Sequence, residues 1–176
     1  MAVPCTDMAK HLFLTGEKQV GKSTLIRRLL EHETRKIGGF YTVKTDLVFP
    51  ECSSVHLLRI GAGEEPSEEN LLFHCSCPDY EGSAHRFNRL GCAAIEASKD
   101  AEFIVMDELG PNELQAEDFQ ASIRQVLNGH IPVLGVLQKA ENPFLKWIGE
   151  HPQVELIEVT CENREALADA FSYWCN

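Results

Sequence analysis

No apolar run in this chain approaches the roughly 20 residues that a helix needs to cross a bilayer, so no membrane-spanning segment is expected. Residues 1–10 lack the basic stretch and apolar core of a secretory leader, which makes the cytosol the expected compartment. Positive charge is scarce: 16 Lys and Arg stand against 27 Asp and Glu, for a net charge of −11. An acidic surface repels phosphate backbones at long range, which disfavours a general nucleic-acid binder. The modest basic cluster of Arg27, Arg28, Arg35 and Lys36 reads as a solvated helix face. Cysteine is not scarce, but its number, seven, is odd and no secretion signal accompanies it. Reduced thiols are therefore expected rather than a disulfide framework. No internal repeat and no linker-like stretch divides the 176 residues, so one domain over 1–176 is expected. With 44% hydrophobic and 24% charged residues the chain has the composition of a packed globular protein, which excludes a disordered or fibrous one.

Apolar runs alternate with amphipathic stretches. Residues 11–15 read as a buried strand, and Leu25, Ile26, Leu29 and Leu30 recur at helical spacing over 22–33. Gly38-Gly39 punctuates the chain before a strand at 40–44, with 55–60 as its hairpin partner. Residues 61–70 carry no apolar face and read as an exposed acidic loop. Phe87, Leu90, Ala94 and Ile95 predict a helix reaching Lys99, and 103–106 is a strand apolar enough to be buried on both faces. A helix bearing Phe119, Ile123, Val126 and Leu127 follows, then a strand at 131–137 with Pro132 near its start. A short helix holds Phe144, Leu145 and Ile148, and a last strand (154–159) and helix (167–174) close the chain. Such alternation predicts an α/β sandwich around a mostly parallel sheet.

The residues that carry chemistry begin at the first strand's end. Gly16, Glu17, Lys18, Gln19, Val20, Gly21, Lys22, Ser23 and Thr24 contain the pattern G-x-x-x-x-G-K-[ST]. Glycine at both ends permits backbone angles and close approach that a Cβ would obstruct. The loop amides and the positive end of the following helix then meet phosphate oxygens. Lys22 is placed to reach the β- and γ-phosphates and the Ser23 hydroxyl to coordinate Mg²⁺. An apolar strand leading in and an amphipathic helix leading out supply the context the pattern requires. A nucleoside triphosphate, ATP, GTP or another, is therefore the expected ligand.

The strand at 103–106 runs into Asp107 and Glu108. Ligands collect at the carboxyl ends of parallel strands, the same edge as the loop. Asp107 is expected to hold the Mg²⁺ shell, and Glu108 to orient and polarise an attacking water. Asp107-Glu108-Leu109-Gly110 fits D-x-x-G, a pattern of guanine-specific enzymes, but Gln138-Lys139-Ala140-Glu141 is a poor stand-in for their N-K-x-D. Guanine selectivity is therefore not expected.

Four stretches in order resemble a known family: the loop at 16–24, Gly39-Phe40-Tyr41-Thr42, Val105-Met106-Asp107-Glu108-Leu109-Gly110, and Thr160-Cys161-Glu162-Asn163-Arg164. The chain is similar here to the THEP1-type nucleoside-triphosphatases, the group that includes the human cancer-related NTPase. The Gly-Phe-Tyr-Thr run is more telling than the loop, which many families share. Both ends of the chain match well and the middle, about 51–99, poorly. The resemblance implies a P-loop NTPase three-layer sandwich and Mg²⁺-dependent hydrolysis of a nucleoside triphosphate, with broad base tolerance and slow turnover. It assigns Lys22 and Glu108 to catalysis and Ser23 and Asp107 to the metal. Asn163 and Arg164 are implied near the nucleotide, although a helix start after a strand accounts for them equally. Family members commonly have glycine or proline where this loop has Glu17, Lys18 and Gln19, and Lys-Met where Pro111 and Asn112 precede Glu113. Binding should survive both departures; hydrolysis could weaken.

His74, Cys75 and Cys77, with His85 and Cys52, suggest a zinc site at first sight. Cys-x-Cys is not knuckle spacing and no second pair completes it, so ordinary reduced cysteines are expected. His11, His32, His130 and His151 accompany no Ser or Cys nucleophile. Three functions stay open: a triphosphatase using water, a nucleotide or small-molecule kinase, and a nucleotide-binding adapter read by a partner protein. A kinase needs an acceptor site and a lid rich in arginine. The stretch 61–89 is long enough for a lid but offers only Arg86 and Arg89, so water is favoured.

Overall fold

The computed structural model describes residues 10–49, 52–75 and 80–171. Seven strands form one sheet in the order β4-β3-β2-β5-β6-β1-β7. They are β1 (His11–Thr15), β2 (Ile37–Phe49), β3 (Cys52–Arg59), β4 (Leu71–His74), β5 (Phe103–Leu109), β6 (Val133–Leu137) and β7 (Val154–Glu158). Strands β2, β5, β6, β1 and β7 run parallel, and β3 and β4 extend the β2 edge antiparallel. The mostly parallel sandwich expected from the alternation is therefore present.

Helices cover both faces, and the period of two along each strand decides which side chain goes where. Leu12, Leu14, Phe103, Val105, Leu134 and Val136 pack under α1 (Lys22–Leu30) and α6 (Arg164–Phe171). Their neighbours Phe13, Ile104, Met106, Val133 and Leu137 turn to the opposite face. There they meet α3 (Cys92–Glu96), α4 (Glu117–Leu127) and α5 (Pro143–Gly149). Register enforces size as well as side: Phe13 pairs with Gly135, where a Cβ would stand 2.2 Å from the Phe13 ring. Phe119 is the hub of this second core, with the Phe40 and Phe87 rings at 5.6 and 5.9 Å. Truncating it to alanine removes a fully buried ring and costs roughly 3–5 kcal/mol.

Three sequence expectations change. Gly38-Gly39 is not a break: β2 begins at Ile37 and both glycines pair with β5. A Cβ at Gly39 would lie 1.9 Å from Val105 O, and one at Gly38 would lie 2.7 Å from the Ser98 side chain. Crowding, not turning, explains the pair. Second, the stretch 61–70 is exposed at first but ends in a 3₁₀ turn (Glu68–Asn70) that buries Asn70 and leads into β4. Asn70 accepts from Ser67 N–H and donates to Glu65 O, and its oxygen lies 3.0 Å from His56 Nδ1. Third, the helix expected from Phe87 is preceded by α2 (Tyr80–Arg86) and starts with a π turn (Phe87–Gly91). That turn aims Asn88 Oδ1 at Phe119 N–H, 3.0 Å away, satisfying a first-turn donor of α4. α1 ends at Leu30 rather than 33, and the part of the last predicted helix beyond 171 lies outside the described residues.

Candidate active site

The phosphate loop spans the gap between β1 and α1. Gly16 and Gly21 take φ of 143° and 101°, and Gln19 takes 62°, so the backbone turns left-handed three times within six residues. A Cβ on Gly16 would stand 2.4 Å from Val159 O, which locks the loop's start against the end of β7. Val20 is buried in the α1–α6 core and anchors the loop from beneath, while Glu17, Lys18 and Gln19 are exposed. No side chain caps α1, leaving its first-turn amides open at the positive end of the helix. Lys22 Nζ donates to Gly16 O at 2.9 Å and Glu17 O at 2.7 Å, which lays the ammonium across the loop.

β5 brings the carboxylates to this loop. Its register with β6 is irregular between Met106 and Leu109, and the Asp107–Glu108 peptide bond is cis. Ser23 Oγ donates to Asp107 Oδ1 at 3.2 Å, joining positions 84 residues apart. Burial pushes the Asp107 carboxyl up to about 6 and the Glu108 charge adds to this, while the Ser23 hydrogen bond, Lys22 and Arg27 pull it down. A cavity of about 400 Å³ is lined by Lys18, Gln19, Gly21, Lys22, Ser23, Thr24, Glu108 and Gln138. Two larger cavities lie elsewhere, one of about 520 Å³ between α3 and α4 and one of about 680 Å³ beside the β6–α5 loop. Neither carries the lysine, hydroxyl and carboxylates that converge here.

Of the nominated loop residues, Glu17 and Val20 turn away from the cavity: Glu17 pairs with Lys139 at 3.1 Å and Val20 enters the core. Gly16 contributes its carbonyl to Lys22. The Ser23–Asp107 pair suits a magnesium ion, which takes few protein oxygens and completes its octahedron with phosphate and water. Among the described residues no group of three or more His, Cys, Asp or Glu gathers for a metal; Cys75 is exposed and Cys77 lies outside them.

A family model described as NTPase matches residues 11–171. The chain belongs to the NTPase family. The cancer-related nucleoside-triphosphatase homolog of Bos taurus is 30% identical over 183 residues, covering 91% of this chain and 93% of its own. Nucleoside-triphosphatase THEP1 of Thermofilum pendens is 28% identical over 177 residues, with 90% and 91% covered. The crystal structure of THEP1 from Aquifex aeolicus matches with a TM-score of 0.72 at 21% identity, over 94% of this chain and 99% of that one. That likeness shows the P-loop NTPase fold predicted from the alternation and the loop.

Within this family fold, three residues acquire places that the sequence reading did not give them. Gln138 follows β6, which the sheet order inserts between the loop strand and the acidic strand, so its side chain lies between Glu108 and the loop. Its backbone N–H donates to Leu109 O at 2.9 Å, and its amide packs on Gly110, where a Cβ would lie 2.9 Å away. A polar residue directly after a buried strand was the available signal. Glu113 is 3% exposed and accepts from Gly110 N–H at 3.0 Å, bracing the turn after the acidic pair. Asn163 Oδ1 accepts from Thr160 N–H and Nδ2 donates to Glu158 O, so its side chain is spent on the start of α6. Arg164, next to it, lies against the phosphate loop at Gly21.

Proposed function

We propose that this protein is a nucleoside-triphosphatase that uses water as phosphoryl acceptor and Mg²⁺ as cofactor. One observation carries the reading: the Ser23–Asp107 hydrogen bond of 3.2 Å joins the phosphate loop to the acidic strand beside the cavity that Lys22 and Glu108 share. The family membership and the names of its relatives support the same activity. In this mechanism the loop amides and Lys22 bind the β- and γ-phosphates and offset charge that builds on the transferred phosphoryl group. Ser23 and Asp107 would hold Mg²⁺, which neutralises phosphate charge when bound. Glu108 accepts a hydrogen bond from the attacking water, orienting its lone pair at phosphorus and taking the proton as the bond forms. Gln138, beside it, offers an amide to the same water or to a γ-oxygen.

The kinase alternative loses ground on Arg86 and Arg89. Arg86 Nε donates to Leu72 O at 2.5 Å and Arg89 Nη2 to Glu69 O at 3.1 Å, so both serve to hold the 61–89 stretch on the sheet rather than to close over a phosphate. No base-reading motif is evident, which supports broad base tolerance, and the missing lysine before Glu113 supports slow turnover. No helix among the described residues is long and apolar enough to cross a membrane, and the cytoplasm is the proposed location. The test is phosphate release from ATP, GTP, CTP and UTP with Mg²⁺ and with chelator. Wild type should turn over several bases, and Lys22→Ala should lose binding and turnover. Glu108→Ala should lose about 10²–10⁴-fold in kcat while still binding nucleotide. Tight nucleotide binding by wild type with no phosphate released would overturn the proposal in favour of an adapter or a kinase.

A further inference from the structure

A second, smaller recess of about 170 Å³ opens beside the phosphate cavity, between the first turns of α1 and α6. Gly21, Thr24, Leu25, Arg28, Arg164 and Glu165 line it. Gly21 and Thr24 line the phosphate cavity as well, so the two spaces meet over the end of the loop. The recess falls below the range of about 300–1,000 Å³ that encloses a whole small ligand, so it takes one ring system and not an entire nucleotide. Arg164 Nη1 lies 3.6 Å from the point where a Cβ on Gly21 would stand. Glu165, its nearest carboxylate at 3.6 Å, is held on the far side by Arg28 at 2.7 Å.

We infer that this recess receives the base of the bound nucleoside triphosphate, with the Arg164 guanidinium lying against the ring face. The inference rests on the triphosphatase reading for the direction of the phosphate chain. Glu108 and Gln138 mark the γ end of the cavity, so the α-phosphate and its ribose leave at the opposite end, over Gly21 and Thr24. The recess is what they meet there. A guanidinium plane stacks on any base and reads no donor–acceptor pattern. Asn163, which could read a base edge, has both its amide groups committed to the α6 turn. A base held by its face and not its edge gives affinity without selectivity.

The experiment measures equilibrium binding of ATP, CTP and inorganic tripolyphosphate, each with Mg²⁺, to wild type, Arg164→Ala and Arg164→Lys, with a thermal melt of each variant. Arg164 is on the surface of the first α6 turn, so the melts should coincide. Wild type should bind ATP more tightly than tripolyphosphate. Arg164→Ala should weaken ATP about tenfold, the loss expected for one stacked base. CTP should weaken less, and tripolyphosphate should stay within about twofold of wild type, because it has no ring to stack. Arg164→Lys keeps the charge without the plane and should restore little. Equal losses for ATP and tripolyphosphate, or full restoration by lysine, would make Arg164 a phosphate ligand and overturn the inference. So would an Arg164→Ala protein that binds ATP normally while Lys146→Ala does not, which would move the base to the cavity beyond Gln138. These readouts need no turnover: a wild type that binds nucleotide but releases no phosphate would end the hydrolysis reading and leave this one standing.

Discussion

Replacing Glu113 by Gln should make the protein more stable at neutral pH, and the gain should vanish in acid. Glu113 ends the short 3₁₀ turn Pro111–Glu113 behind the acidic pair and is 3% exposed. Burial pushes its carboxyl from 4.5 up to about 8, the Glu108 charge adds to the rise, and backbone N–H groups of Gly110 and Glu113 oppose it. The unfolded chain ionises this group near its ordinary value and the folded chain only near pH 8. The group's contribution to stability is therefore fully present below 4.5 and lost as pH climbs through that window. At 1.36 kcal/mol per unit, the loss is about 3 kcal/mol by pH 7, large against the roughly 5–15 kcal/mol that holds a domain together. Glutamine keeps an oxygen for Gly110 N–H and does not titrate. Its NH₂ group costs a similar amount at every pH, so the slope decides. Urea unfolding of both proteins at pH 5, 6, 7 and 8 should show the variant gaining on wild type by about 1 kcal/mol per unit. A difference that is flat with pH, or that shrinks toward pH 8, would refute the claim that Glu113 folds as a neutral acid.

Other expectations concern separate parts of the molecule. Gly39→Ala places a methyl 1.9 Å from Val105 O at φ +105°, so a loss of about 3 kcal/mol or more is expected in a denaturant melt. His11 is fully buried and burial lowers its pKa to about 4, so the folded protein stays neutral there while the unfolded chain protonates below 6.5. Stability should fall by about 3 kcal/mol between pH 6.5 and 4 from this residue, and His11→Gln, measured beside wild type at both pH values, should remove most of that loss. Gln138→Ala should lower kcat about tenfold or more with little change in KM; a raised KM at unchanged kcat would make Gln138 a binding group instead.

Contiguous features were legible in the chain itself. The phosphate loop needs nine neighbouring residues and nothing else to be recognised, and Asp107-Glu108 declared themselves by following a run of four apolar residues. What depends on packing was not. Gly38-Gly39 looks like punctuation until β5 is laid against it, because the crowding that demands glycine comes from Val105, more than sixty positions away. β4 holds four residues after an acidic stretch, too few for its period to register, and the Asn70–His56 contact that fastens it is invisible locally. Gln138 and Arg164 reach the site through the order of the strands, which no local pattern encodes.

That strand order also bears on the birth of the molecule. β1 is the first strand to leave the ribosome, yet its sheet partners are β6 and β7, which begin at Val133 and Val154. The loop's first glycine is wedged against Val159, later still. A growing chain of a hundred residues therefore owns the whole glycine-rich motif and none of the walls that shape it. Nucleotide, which is present throughout synthesis, cannot scaffold the early chain; it can only reward the finished one, by the mass-action term that ligands add to a native state. The part of this protein that is made first becomes competent last.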